Sequence, residues 1–391
     1  MKPCRAFASV ALLLLCACGT SLAACPELPP KALQSAFDAT RFGAMGDGLH
    51  DDTAALQAAI DATPIGGTLY LPAGTYRVAV GQSPLAGLRL KSDMNFVMHD
   101  AAMLKAIPTK DGNSAVLKAW SVSKVRVHGG TIVGERHEHL GSSGEWGMGL
   151  DVRDASAISV VGTQVRDTWG DGFYIGGEAN SDIHFCGVVA DGSRRNGMSI
   201  VAAKGMTVRS SRFMNSAGTP PQAGLDIEPD GGLLTEGIVV TDSFFSGNRG
   251  AGISLGASCL NCGAVNRNHT IRGNTISRNG GNGIHVSFQG HSIERNTIEH
   301  SGGSGILLWR ADASVVRDNL VRRSKVSGLQ LEGSTGNRID GNRFDANPVA
   351  MLLKSASTGN ELAANQCATL AVAIQHDRSS TGNRIGAHSC R

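Results

Sequence analysis

GNGIHVSFQGHSIERNTIEHSGGSGILLW, residues 281–309, contains one short pattern twice: a glycine, then an apolar residue, any residue and an apolar residue. The copies, GIHV at Gly283 and GILL at Gly305, are 22 residues apart. Outward from them the pattern recurs at Gly149, Gly172, Gly197, Gly224, Gly252 and Gly328, and the whole series has spacings of 23, 25, 27, 28, 31, 22 and 23 residues. Alanine-led versions at Ala350 and Ala373 continue it. Asn274, Asn296, Asn319, Asn342 and Asn365 keep step at 22 or 23 residues. A fixed period of this size marks a stacked structural unit. Each unit carries short runs of alternating apolar residues bounded by Gly, Asn, Asp and Ser, which gives strands and turns and leaves no room for a helix. The expected fold is all-β, a single-stranded parallel β-helix of about 22–28 residues per coil around one continuous core. The asparagines suit an internal ladder, in which amides at one turn position bond to those of the neighbouring coils.

An open coil exposes core and strand edges, so the solenoid needs a cover. DDTAALQAAIDATP, residues 51–64, reads as a short amphipathic capping helix with Leu56, Ala59 and Ile60 on one face, acidic caps before it and Pro64 after it. With its flanks, FGAMGDGLHDDTAALQAAIDA (42–62) and GGTLYLPAGTYRV (66–78), this stretch resembles the opening of the pectate lyase superfamily. The resemblance implies a right-handed β-helix that acts on polysaccharides, with residues 36–80 as N-terminal cap and first coil of a domain spanning 25–391. It also implies a structural role for Asp47, Asp51 and Asp52.

Residues 1–24 read as an export signal, with Lys2 and Arg5 before an apolar run too short to span a bilayer. Two stretches ending at Cys18 and Cys25 resemble a lipobox, which makes these cysteines lipidation candidates and a lipid anchor the one expected membrane contact. The expected location is extracytoplasmic: secreted, periplasmic or anchored to the envelope. Disulfides are permitted there. Cys367 and Cys390 each follow a matching asparagine by seven residues, so a bridge between the last coils is expected. Cys259 and Cys262 form a CxxC with no second pair to make a zinc site, leaving a local disulfide or two thiols. The chain carries a formal charge of +3 without any Lys/Arg block, which argues against a nucleic-acid partner.

In each triplet the middle residue points away from the core, as does the residue following the triplet. The first outward column reads Asp151, Tyr174, Ser199, Asp226, Ser254, His285, Leu307 and Gln330; the second includes Arg153, Gly176, Glu228, Gly256, Trp309 and Glu332. GLDIEPDGG, residues 224–232, places Asp226, Glu228 and Asp230 at every second position, between small neighbours that leave a trough. Tyr174, His285, Trp309 and, from a bordering loop, Trp169 are expected as sugar-contacting walls. Arg194, Arg195, Arg249 and Asp151 are further substrate-binding candidates. Residues two apart on a strand are ~6.6 Å apart, the carboxyl separation of inverting rather than retaining glycosidases. Crowded carboxylates disfavour full ionisation, so one of Asp226 and Glu228 serves as acid and the other as base, with Asp230 or Asp171 as substitutes. Polygalacturonases resemble this fold, but their motifs are absent and no catalytic residue carries over.

The expected activity is glycoside hydrolysis on a polysaccharide, without a cofactor or bound metal. A polyuronate lyase is the alternative, with Ca²⁺ on the carboxylates or with Arg195, Arg249, or His285 and Tyr174 as base; uronate epimerisation shares that chemistry. A carbohydrate-binding solenoid without turnover is the remaining reading. The arginines beside the trough suit an acidic polymer.

Overall fold

The computed structural model describes residues 25–27, 33–81, 83, 86–259, 262–368 and 372–390. The expected signal segment and Cys18 lie outside these residues. The chain winds into a right-handed parallel β-helix with three faces. A 14-stranded sheet runs from Asp47–Asp51 to Ser389–Cys390, and a 29-stranded set forms the other two faces. One coil shows the plan: Gln164–Arg166 lies on the 14-stranded sheet, Phe173–Gly176 on the face carrying the glycine triplets, Ser181–Cys186 on the third face, and Val189–Asp191 is back on the first, one level up.

The glycine repeat has a steric cause. A Cβ on Gly172, Gly197, Gly224 or Gly252 would come within 2.5–2.7 Å of the carbonyl oxygen of the corresponding glycine in the next coil. A side chain at any of these four glycines would force a shift, although Val116 and Ala350 occupy the same column in other coils. Inward triplet residues then pile up directly: Leu150, Phe173, Met198, Leu225, Ile253, Ile284, Ile306 and Leu329 are register partners in turn, all fully buried.

The asparagine ladder forms inside the turns. Asn296 Nδ2 donates to Asn319 Oδ1 and Asn319 Nδ2 to Asn342 Oδ1, each at 2.9 Å, while backbone N–H groups of Asn296 and Asn319 use the same oxygens at 2.9 and 3.0 Å. A second ladder, at another turn, contains Asn337 and Asn360 and continues towards the N-terminus as Ser314, His291 and His269.

The capping helix α1 spans Thr53–Ala62 and buries Leu56, Ala59 and Ile60. Its capping differs in detail from expectation. Asp52, the N-cap residue, makes no cap bond; its carboxylate instead accepts from the Met45 N–H at 2.6 Å, and Asp51 Oδ1 accepts from the Thr53 N–H at 2.9 Å. Asp47 accepts backbone bonds from Leu49 and His50, which hold its carboxyl down at about 2. All three acids are tied into the cap.

Cys25 is disulfide-bonded to Cys186, 161 residues away, which corrects its reading as a lipidation site: that sulfur is not free to form a thioether. Cys259 and Cys262 are bonded to each other. Cys367 and Cys390 are register partners on adjacent strands and Cys367 is disulfide-bonded; the side chain of Cys390 lies outside the described residues.

Candidate active site

The outward column is continuous. Lys118, Asp151, Tyr174, Ser199, Asp226, Ser254, His285, Leu307 and Gln330 are successive register partners on one face. The acidic stretch departs from expectation at its end. The strand stops at Ile227; Glu228 keeps one more parallel bond, N–H to the Ile200 carbonyl at 2.9 Å, and Pro229 then ends the pairing. Asp230 is exposed beyond the end of the strand, near enough to Tyr174 for its charge to act on that hydroxyl.

Arg195, from the loop preceding Gly197, organises the acids. Its Nη1 donates to Asp171 Oδ2 at 3.1 Å and Ser199 Oγ at 3.2 Å, and its Nη2 to Glu228 Oε2 at 3.2 Å. Glu145, which the sequence reading passed over, brings a carboxylate oxygen to 4.0 Å from Nε. Asp226 receives no hydrogen bond from this guanidinium; it bonds to Asn196 Nδ2 at 3.4 Å and to the Ser254 hydroxyl. Three carboxyl groups therefore contact one cation, and a fourth lies buried beside it. Burial, reinforced by the Glu228 charge, pushes the Asp226 carboxyl well above the usual range. Asp171, fully buried, is also raised by burial, against the pull of Arg195 and the Asn196 N–H. Glu228, with a side chain 27% exposed, and Glu145, 37% exposed, are the members open to solvent.

The other predicted residues divide. Trp169 is not a sugar platform: the His139 ring stacks on it at 3.8 Å and the Arg194 guanidinium sits 3.9 Å from its centroid. Two groups that close to one ring centre occupy opposite faces, so both are covered. Arg194 is thereby committed, and also donates to the Gly144 carbonyl at 2.9 Å. His139 is in turn held by Glu135 at 2.8 Å, which pins the 134–149 loop over the groove. Asp151 is buried and held by Arg153 Nε at 2.9 and 3.0 Å, with its carboxyl raised by burial. Tyr174 leans along its strand over Gly176 beneath Arg153, and burial lifts its hydroxyl to about 12. His285 faces Ser287 and Trp309, and burial lowers its pKa. Tyr174 and His285 are four strands apart, roughly 19 Å at the backbone. They lean apart as well, so their pairing at one sugar carbon is corrected. Arg249 is exposed in the loop before Gly252 and contacts none of the acids among the described residues.

A right-handed parallel β-helix with an acid cluster on one outward face places the chain in the parallel β-helix superfamily. Residues 154–383 match the family model described as periplasmic copper-binding protein (NosD), and the chain belongs to that family. Residues 36–97 match a second model, rhamnogalacturonase A/epimerase, pectate lyase-like. The uncharacterized protein YclG of Bacillus subtilis (strain 168) is 27% identical over 221 residues, 49% of this chain and 38% of that protein. Mannuronan C5-epimerase AlgE1 of Azotobacter vinelandii is 55% identical over 64 residues, 16% of this chain and 5% of the epimerase. The chain thus spans well under two thirds of either relative. Among solved structures, the A-module of A. vinelandii mannuronan C-5 epimerase AlgE6 superposes with a TM-score of 0.78 at 20% identity, over 90% of this chain and 99% of the module, a likeness of fold.

The residues do not fit the copper in the family's description. Among the described residues no three His, Cys, Asp or Glu side chains converge to hold a metal ion. Cys25, Cys186, Cys259 and Cys262 are spent in disulfides, and His269 and His291 turn their Nδ1 atoms to backbone N–H groups. No step below runs through copper.

Proposed function

We propose that the protein is a polysaccharide-active enzyme that hydrolyses glycosidic bonds with inversion, with Asp226 as general acid and Glu228 as general base. One observation carries this reading: a carboxyl that burial and a neighbouring charge push towards its protonated form stands two residues from one that reaches the groove. Asp226 gives its proton to the glycosidic oxygen. Glu228 takes a proton from the water that attacks the anomeric carbon on the opposite side, and that proton returns to Asp226 to close the cycle. Arg195 orients Glu228 through a charge-assisted hydrogen bond. The epimerase names among the relatives and the pectate lyase-like model support a polysaccharide substrate. The family's periplasmic description and the disulfides support an extracytoplasmic location.

Elimination or epimerisation of a uronate is the second reading, favoured by the mannuronan epimerase likeness. It needs a base beside the sugar carboxylate, and a Tyr174 hydroxyl lifted to about 12 is a poor one. A polysaccharide panel assayed with and without a Ca²⁺ chelator separates the two. Hydrolysis releases reducing ends with no unsaturated, ultraviolet-absorbing product, and Asp226→Asn and Glu228→Gln each lower turnover by about 10²–10⁴-fold. New ultraviolet absorbance, or full turnover in both variants, overturns the hydrolytic reading.

A further inference from the structure

Towards the N-terminus the outward column ends in a concentration of positive charge. Arg89, Lys118 and Asp151 are register partners on three successive strands, so two like charges lie directly opposite each other. Such a pair destabilises a sheet unless something lies between the charges. Lys118 is only 4% exposed, and its Nζ donates to the Ala86 carbonyl at 2.8 Å. Among the described residues neither Arg89 nor Lys118 forms a direct salt bridge; the Asp151 carboxylate beside Lys118 attracts its charge through space and is hydrogen-bonded by Arg153. Three cations, Lys118, Arg153 and Arg89, instead collect around the Trp120 ring, at 4.9, 5.3 and 5.5 Å from its centroid. Arg89, Lys118, Trp120 and Asp151 line a cavity of about 230 Å³ that also presents Asn113 and Ser114. A buried lysine is rare unless it is paired, and here one carboxylate, Asp151, is shared between Lys118 and Arg153 while Arg89 adds a further positive charge.

We propose that this pocket is a subsite for a negatively charged sugar group, a carboxylate or a sulfate ester, and that it selects acidic chains for the acid cluster further along the same face. Lys118 and Arg89 supply the charge, Trp120 the apolar floor and Asn113 a hydroxyl contact. The pocket lies four strands from Asp226, roughly 19 Å, so only an oligosaccharide several units long engages both. The selecting role rests on the proposed activity; the binding itself does not. Burial and the Arg89 charge already lower the Lys118 pKa, and a bound anion relieves both.

The test is calorimetric titration of the full chain at low ionic strength with D-glucuronate, glucose 6-sulfate and, as uncharged control, glucose. At least one anionic sugar is expected to bind and glucose not to, and which anion binds tells carboxylate from sulfate recognition. Arg89→Gln, at an exposed position, is expected to weaken that binding roughly tenfold or more, and Lys118→Met likewise. Asp226→Asn is expected to leave it unchanged, which separates this site from the catalytic one. If the anion binds to a protein that hydrolyses nothing, the subsite stands and the proposed reaction falls. Equal binding of glucose, no binding of either anion, or an unaltered affinity in Arg89→Gln overturns the proposal.

Discussion

At Asp226 burial outweighs the nearby cation. The Nη atoms of Arg195 hydrogen-bond Asp171 and Glu228 but not Asp226, so Arg195 acts on Asp226 only through space, while burial and the Glu228 charge raise the pH at which its carboxyl gives up a proton. The folded state binds this proton up to a higher pH than the unfolded chain, whose carboxyl titrates near about 3.9. Unfolding free energy therefore falls as pH rises from that value through the raised folded pKa. Asp226→Asn removes this cost and is expected to unfold at a higher temperature than the parent at pH 8 while having lost turnover, a comparison thermal melts will check. Arg195 opposes the rise in Asp226, so Arg195→Met is expected to move the alkaline limb of the kcat/KM profile to higher pH. Asp226 and Glu228 were legible from alternation and Arg195 from its loop. That one guanidinium joins acids from different coils was not, because it depends on the path of the 190–197 loop rather than on spacing. Trp169 was misread for a related reason: its covering groups, His139 and Arg194, come from two loops whose approach no strand period encodes.

Within single elements, the ladders carry polar groups that have no access to water. Asn319 takes two donors from Asn296 and gives hydrogen bonds to Asn342 and to the Ile293 carbonyl at 2.8 Å. Asn319→Ala orphans these groups at about 1–3 kcal/mol for each one left unsatisfied, and its urea midpoint is expected to drop accordingly. In the second ladder, His269 Nδ1 accepts from the Ile238 N–H at 3.1 Å and His291 Nδ1 from the His269 N–H at 3.3 Å. Both rings must stay neutral. Burial lowers His291 to about 4, and burial together with the His291 ring lowers His269 well below the usual imidazole range. The unfolded chain protonates these rings near about 6.5 and the folded one does not, so stability present above that pH is lost as pH falls towards 4. Asparagine already fills the equivalent rungs, and the double variant His269→Asn/His291→Asn is expected to lose less of its melting temperature between pH 7 and pH 5 than the parent. The sequence showed the asparagine rungs because they repeat; the histidine rungs break the repeat and were invisible. The end of the acidic strand hid for the opposite reason, since Asp226, Glu228 and Asp230 keep a strand's alternation past the point where Pro229 stops the pairing.

Across the whole molecule, the fold was legible because a glycine-led triplet recurs in most coils, whereas Cys25–Cys186 was not, since a bond across 161 residues leaves no local trace. It ties the start of the described chain to the third face. Constraining so long a loop is worth about 2–5 kcal/mol, so Cys25→Ser/Cys186→Ser is expected to melt at a lower temperature than the parent, and reductant to have less effect on the variant. The glycine column reaches further. Since even a single methyl group at these positions meets the neighbouring level, the vertical pitch is not adjustable residue by residue. The length of polymer the molecule can hold therefore changes only in whole steps, by the gain or loss of complete turns, and descendants of this chain that accommodate longer or shorter ligands will differ in repeat number before they differ in groove chemistry.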